Sequence, residues 1–178
     1  MDRRTIKTRA AIKRAFIECL KEKNINKITI SELSEKADIG RGTFYLHYQD
    51  LYDLYDSIEQ DLYAELAEMF DASSPYLDSE NLLALTNKIT AYIDKKKDLF
   101  RLLMGVNGHV LNRIKEIFNE KVLEDDCYTD ISAYDQLEAL FLVSGTIGIL
   151  EEWLKSGLDM PLDQLSSMLH RLLMKFNV

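Results

Sequence analysis

The segment Arg41-Gly42-Thr43-Phe44-Tyr45-Leu46-His47-Tyr48 brings a guanidinium, a glycine, a hydroxyl, a phenol and an imidazole together in a basic stretch. At helical spacing Phe44 and Tyr48 share one face, toward a core expected from Ile12, Phe16, Ile30 and Leu33. Arg41, Thr43, Tyr45, Leu46 and His47 then spread over the outer surface. A helix start that is small and polar can enter a major groove, where its amides hold phosphates. Enzyme chemistry finds no comparable set. There is no P-loop, G-x-S-x-G, H-E-x-x-H or dinucleotide fingerprint, and His47, His109 and His170 lie far apart. Asp125-Asp126-Cys127 lacks a histidine at metal spacing and reads as a solvated turn. Cys19 and Cys127 form no C-x-x-C. The expectation is a non-enzyme without metal or cofactor.

The elements that must position this segment are helices. Apolar residues recur at helical spacing throughout, and no stretch alternates with period two, so the fold class is all-α with about nine helices. A first helix runs from about Thr5 to Lys23, with Ile12, Phe16, Cys19 and Leu20 on one face. Thr29-Ile30-Ser31-Glu32 is a capping box opening a short helix, about Ile30 to Ala37, that buries Leu33 and Ala37. Asp38 occupies the turn and is one of the few residue types that tolerate a left-handed backbone. After Asp38-Ile39-Gly40 comes the second short helix, about Arg41 to Tyr48. Two short helices across a three-residue turn suggest a helix-turn-helix.

Asp50 can cap a long helix, about Leu51 to Phe70, with Leu51, Leu54, Tyr55, Ile58, Leu62, Leu66 and Met69 along one side. Ala72 to Ser79 is the clearest loop, and further helices are expected near 80–95, 98–104, 108–125, 132–156 and 161–176. The domain organisation follows: 1–49 a helix-turn-helix domain, 50–72 a connecting helix, and 73–178 a dimerisation and effector domain. The longest apolar run, Phe141 to Leu150, is too short to span a bilayer, and no apolar leader opens the chain. A soluble, cytoplasmic protein is expected.

Charge is split along the chain. Residues 1–50 hold 11 Lys/Arg and 7 Asp/Glu, a net of +4, whereas residues 51–178 hold 11 and 23, a net of −12. A basic end on an acidic chain is either a nucleic-acid-facing surface or a solvated helix face.

The stretch from Ile28 to Tyr48, with its capped helix, its Ala37-Asp38-Ile39-Gly40 turn, its Arg41-Gly42-Thr43-Phe44-Tyr45 start and its closing His47-Tyr48, resembles the signature of the TetR family of bacterial transcriptional regulators. Phe141-Leu142-Val143-Ser144-Gly145, Trp153-Leu154-Lys155-Ser156-Gly157 and the Pro161-led last helix are similar to a subgroup common in Firmicutes. Some of that subgroup are regulators or co-activators linked to small-metabolite operons. The chain departs from the family pattern at three places: Asp38 replaces the usual turn glycine, Gly40 the Ser/Thr cap, and Leu51 a lysine that reaches phosphate.

The resemblance implies double-stranded DNA as partner. It makes Arg41 the base-edge reader, and lets Gly42 bring the helix close. It places Thr43, Tyr45 and His47 on phosphates, with Thr29 at the cap doing the same. Lys7 and Arg9 would add nonspecific attraction or form a plain basic face. Leu46 would touch a thymine methyl or stand as a tolerated exposed leucine. The last two long helices are the expected homodimer interface, through Leu137, Leu140, Phe141, Ser144 and Gly148 and through Leu162, Leu165, Leu169, Leu172 and Phe176. A small-molecule effector pocket is expected among Tyr92, Phe100, Leu103, Met104, Phe118 and Trp153, residue types that also make ordinary cores. Two functions fit: a homodimeric, ligand-responsive repressor on a palindromic operator, or a co-activator on the same fold that binds a metabolite or another regulator.

Overall fold

Asp2 starts the first helix by accepting the Arg4 amide at 3.3 Å, earlier than the apolar pattern alone indicates. The computed structural model describes residues 2–72, 79–106, 108–123, 132–156 and 160–175, and these are helical with no strand. The order is α1 (Arg3–Glu22), a 3-10 turn (Ile25–Lys27), α2 (Ile30–Lys36), α3 (Arg41–Tyr45), α4 (Leu51–Asp71), α5 (Ser79–Lys95), α6 (Lys97–Val106), α7 (Val110–Leu123), α8 (Ala133–Ser156) and α9 (Leu162–Leu173). The chain divides into two compact units, Met1–Leu62 and Tyr63–Val178, and the division falls within α4.

The first unit closes over Ile12, Ala15, Phe16, Cys19 and Leu20 of α1, Leu33 of α2, Phe44 of α3, and Leu54, Tyr55 and Ile58 of α4, all buried. Tyr48 and Ala37 join them. Ile30, expected in this core, is half-buried, and Ile25 and Ile28 take the interior instead. The reason is local: the 3-10 turn and the extended Ile28 reverse the chain after α1 and aim these two side chains inward. On α4 the buried positions continue through Leu62, Tyr63 and Leu66 to Phe70, whereas Leu51 and Met69 are half-buried.

In the second unit α5 packs along α9, α7 along α8, and α6 against α7 and α8. The α5 side of its pair is partly polar. Buried Thr86 and Thr90 donate to the carbonyls of Leu82 (2.7 Å) and Thr86 (2.8 Å) in their own helix, and Ser166 of α9 bonds Asn87. Only Lys96 separates α5 from α6; its Nζ pairs with Glu65 at 2.6 Å and lies 4.6 Å from the Tyr92 ring centroid. Arg101 donates from Nε to the Leu154 carbonyl at 2.8 Å, satisfying an acceptor near the end of α8. Among the described residues no helix is long and apolar enough to cross a membrane.

Candidate nucleic-acid interface

α2 is held at its start by Thr29, whose hydroxyl accepts the Glu32 amide at 3.2 Å. The Glu32 carboxylate pairs with Lys23 at 2.6 Å, and this bond, helped by the Thr29 amide, holds its pKa below the usual range. Of the box predicted from Thr29 to Glu32, the threonine cap is present, while the Glu32 carboxylate makes its hydrogen bond to Lys23. At the other end of α2, Asp38 takes φ +54°, in the left-handed region. The Asp38 amide donates to Glu35 O at 3.1 Å and the Ile39 amide to Ser34 O at 3.0 Å. These two bonds make a Schellman turn with aspartate where glycine is usual.

The turn delivers the chain to Gly40, the N-cap of α3, which offers no side-chain bond to the orphan amides. α3 is shorter than the sequence reading. It ends at Tyr45, and Leu46 and His47 follow as turn rather than helix. The last turn tightens, with the His47 amide donating to Phe44 O at 2.9 Å, because the chain must leave in time for Asp50 to cap α4. Asp50 accepts the amides of Tyr52 (2.8 Å) and Asp53 (2.9 Å).

Burial sorts the segment as its spacing implies. Phe44 is fully buried and meets Tyr45 edge-on, ring centroids 5.6 Å apart. Arg41 and Gly42 are exposed, Thr43 and His47 half-buried, Tyr45 58% exposed and Leu46 82% exposed. Thr29 and Lys7 are exposed as well. Among the described residues neither Arg41 nor Lys7 has a carboxylate partner, so both charges are available to an anion.

Arg9 has a different part. Its Nε donates to the Tyr48 hydroxyl at 3.2 Å, its guanidinium carbon lies 5.4 Å from the Tyr48 ring centroid, and Nη2 reaches Ser57 at 3.4 Å. Tyr48 raises its pKa further. Arg9 thus ties α1 to the end of the recognition segment and to α4 instead of serving as a free basic residue. Lys13 repeats the tie one turn on, through Asp61 (2.5 Å) and the Ser57 carbonyl (3.2 Å). Sequence reasoning missed both; a signal was present in buried Tyr48, whose hydroxyl needs a partner.

The second unit revises one expectation. Tyr92, Phe100, Leu103, Phe118 and Trp153 are buried and Met104 is half-buried, all in its interior. Tyr92 and Phe100 pack edge-on, and Phe118 packs on Phe70. An open groove of about 410 Å³ is lined by Asn119, Ala133, Gln136, Leu137 and Leu140, and the buried Asn119 Oδ1 has no hydrogen-bond partner among the described residues. Of the expected interface residues, Leu165 and Leu169 are each 1% exposed and belong to the interior of the unit. α9 lays its most apolar face on α5, which leaves these two nothing to offer another chain. Leu162 and Leu172 are half-buried, and Phe176 lies outside the described residues. On α8 the arrangement is reversed: Leu137, Leu140, Phe141 and Gly148 are exposed, Ser144 is half-buried, and Tyr134 extends the exposed row. Among the described residues no cluster of three or more His, Cys, Asp or Glu could hold a metal.

Residues 80–175 match the family TetR_C_8, the transcriptional regulator C-terminal region. The chain is 27% identical over 154 residues, 82% of its length, to the HTH-type transcriptional regulator YxbF of Bacillus subtilis (strain 168), and spans only 39% of that protein. It is 25% identical to the HTH-type transcriptional repressor BepR of Brucella suis biovar 1 (strain 1330), over 86% of this chain and 84% of BepR. Its fold is similar to that of NalD, the secondary repressor of the MexAB-OprM multidrug efflux pump in Pseudomonas aeruginosa, at a TM-score of 0.73 and 20% identity, covering 97% of this chain and 96% of NalD. With a helix-turn-helix at one end and a matched regulator region over most of the rest, the chain belongs to the TetR family of transcriptional regulators.

Proposed function

We propose that the protein is a homodimeric, sequence-specific DNA-binding repressor that recognises a palindromic operator and is released by a small-molecule effector. The observation that carries this reading is the outer face of the recognition segment: Arg41, exposed and without a carboxylate partner among the described residues, beside Thr43, Tyr45 and His47, on a helix set by the Asp38 turn. Arg41 takes the O6 and N7 of a guanine, and Gly42 lets the helix approach. Thr43, Tyr45 and His47, with Thr29 at the start of α2, donate to phosphates, and Lys7 adds nonspecific attraction. BepR and NalD are named as repressors, which supports that sign of regulation.

Dimerisation is assigned to the exposed row of α8, Leu137, Leu140, Phe141, Ser144 and Gly148, joined by Leu162 and Leu172 of α9. Two-fold pairing of this surface presents two recognition helices to half-sites about one helical turn apart. The domain assignment stays with 1–49 for DNA and 73–178 for assembly and effector, joined by 50–72. The effector is assigned to the interior of the second unit, among Tyr92, Phe100, Leu103, Met104, Phe118 and Trp153. A ligand acts only through a difference in affinity between the two states of the dimer.

Selection from a random duplex library with purified protein, followed by titration at several salt concentrations, tests the reading. The expected result is a palindromic motif with a steep salt slope. Arg41→Ala should relax specificity at one position per half-site, and Tyr45→Phe should weaken every site alike. A dimeric protein that enriches no sequence would support the co-activator reading instead. That reading draws on uncapped Gly40 and on Leu51, which stands half-buried where a phosphate-binding lysine is usual.

A further inference from the structure

The basic residues in the middle of α1 divide by exposure. Lys7 and Arg14 are exposed, whereas Arg9 and Lys13, one turn apart on the same side, are half-buried. Arg9 reaches two other elements of the first unit at once. Its Nε donates to the Tyr48 hydroxyl at 3.2 Å, and its Nη2 to Ser57 Oγ of α4 at 3.4 Å. Lys13 closes the same seam one turn later, on the Ser57 carbonyl and Asp61. Tyr48 is 3% exposed, so a guanidinium that left it for a phosphate would strand a buried hydroxyl. The Tyr48 ring lies beside those of Phe44 (centroids 5.9 Å apart) and His47 (6.4 Å), and Phe44 in turn meets Tyr45. α3 has five residues and no side-chain N-cap, so its own hydrogen bonds hold it weakly and neighbouring elements must fix it.

We infer that Arg9 is a positioning residue: acting through Tyr48, it fixes the end of the recognition segment against α4, and operator affinity depends on this geometry and not on the Arg9 charge. The inference rests on the DNA-binding reading above and replaces the nonspecific attraction that a basic α1 suggests. The planar fork presents Nε to Tyr48 and Nη2 to Ser57 in one fixed geometry, which an ammonium on a flexible stem does not reproduce. Arg9→Lys therefore keeps the charge and loses the fork, while Tyr48→Phe keeps the buried ring and loses the acceptor. Each should weaken operator binding about tenfold, from the loss of one charge-assisted hydrogen bond. The salt slope should stay unchanged, since no phosphate contact is lost. The double variant should bind no worse than either single one, because both changes remove the same bond.

The test measures affinity for the selected operator over a range of salt, for wild type, Arg9→Lys, Tyr48→Phe, the double variant and Arg9→Gln. The temperature is one at which circular dichroism shows each variant fully folded. Amide exchange at His47 and Tyr48, both bonded to Phe44 O, follows the fixing of the segment without DNA. The expected result is a tenfold loss in each of the first two variants at one salt slope, no further loss in the double variant, and faster exchange at both amides. Wild-type affinity in Arg9→Lys, with a slope lower by about two units in Arg9→Gln, would overturn the inference, since Arg9 would then contact a phosphate in each subunit. Wild-type affinity in both Arg9→Lys and Tyr48→Phe would overturn it too, leaving the seam to serve stability alone. If wild type selects no duplex, the DNA reading falls and takes the affinity claim with it, whereas unchanged exchange overturns the positioning by itself.

Discussion

Exposed apolar side chains are arranged differently in the two units. In the first, Tyr45 and Leu46 stand among hydrogen-bonding neighbours on the recognition segment, and Ile6 and Tyr52 are dispersed on other helices. In the second, Tyr134, Leu137, Leu140 and Phe141 run along one helix and are continued by exposed Gly145 and Gly148. A continuous apolar row asks for another apolar surface, and small residues within it allow backbones to approach. Apolar groups interleaved with donors suit a partner that is mostly polar but carries occasional methyls, as a major groove does. The charge difference, +4 over residues 1–50 against −12 over the remainder, agrees with that division.

The largest expected effect tests whether the first unit's interior is as firmly specified as its surface. Phe44→Ala removes a fully buried ring from beneath the recognition segment and should cost about 3–5 kcal/mol in denaturant unfolding. Leu46→Ala two residues on should change stability by no more than about 0.5 kcal/mol. Next comes the apolar row: Phe141→Glu should leave helix content unchanged, shift the protein to monomer in sedimentation, and weaken operator binding roughly a hundredfold through lost bivalency. A dimer that survives this change would place the interface elsewhere.

The turn gives smaller effects. Asp38→Val puts a β-branched residue at φ +54° and should lower stability by about 1–2 kcal/mol, whereas Asp38→Gly should be neutral or stabilising by up to about 1 kcal/mol. Gly40→Ser should raise the melting temperature slightly. Its new Cβ would come no nearer than 4.0 Å to Thr43 Oγ1, and the added cap is worth a few tenths of a kcal/mol. Smallest is a pH effect at Glu32. Its lowered pKa means that its contribution is present above the ordinary carboxylate range and is lost as pH falls through the folded-state value. Lys23→Met removes the principal cause, so melting temperatures of this variant should fall less than those of wild type between neutral and acidic pH.

How much of this was legible in the chain differs between the units for a physical reason. Around α2 and α3 each turn needs a particular residue type, and Thr29, Asp38 and Asp50 announce their roles as two caps and a left-handed turn. Arg9 was legible only through Tyr48, whose buried hydroxyl asks for a partner, since a basic residue on an amphipathic helix looks alike whether solvated or bound to a tyrosine. In the second unit apolar periodicity tells which residues share a helix face but not what that face meets. Leu165 and Leu169 had the spacing of an interface and proved to be the contact with α5. The aromatic residues expected around an effector are buried, and periodicity does not tell a pocket lining from plain core.

Cys19 lies fully buried on α1, and burial pushes its thiol pKa up. In the closed unit it is both shielded and protonated, so a thiol-specific reagent can attack it only during an opening event. With Cys127 replaced by serine, the rate of labelling becomes an internal clock for how often the first unit breathes. Bound DNA would slow that clock in proportion to the fraction of protein held closed, which turns a side chain with no part in recognition into a quantitative reporter of it.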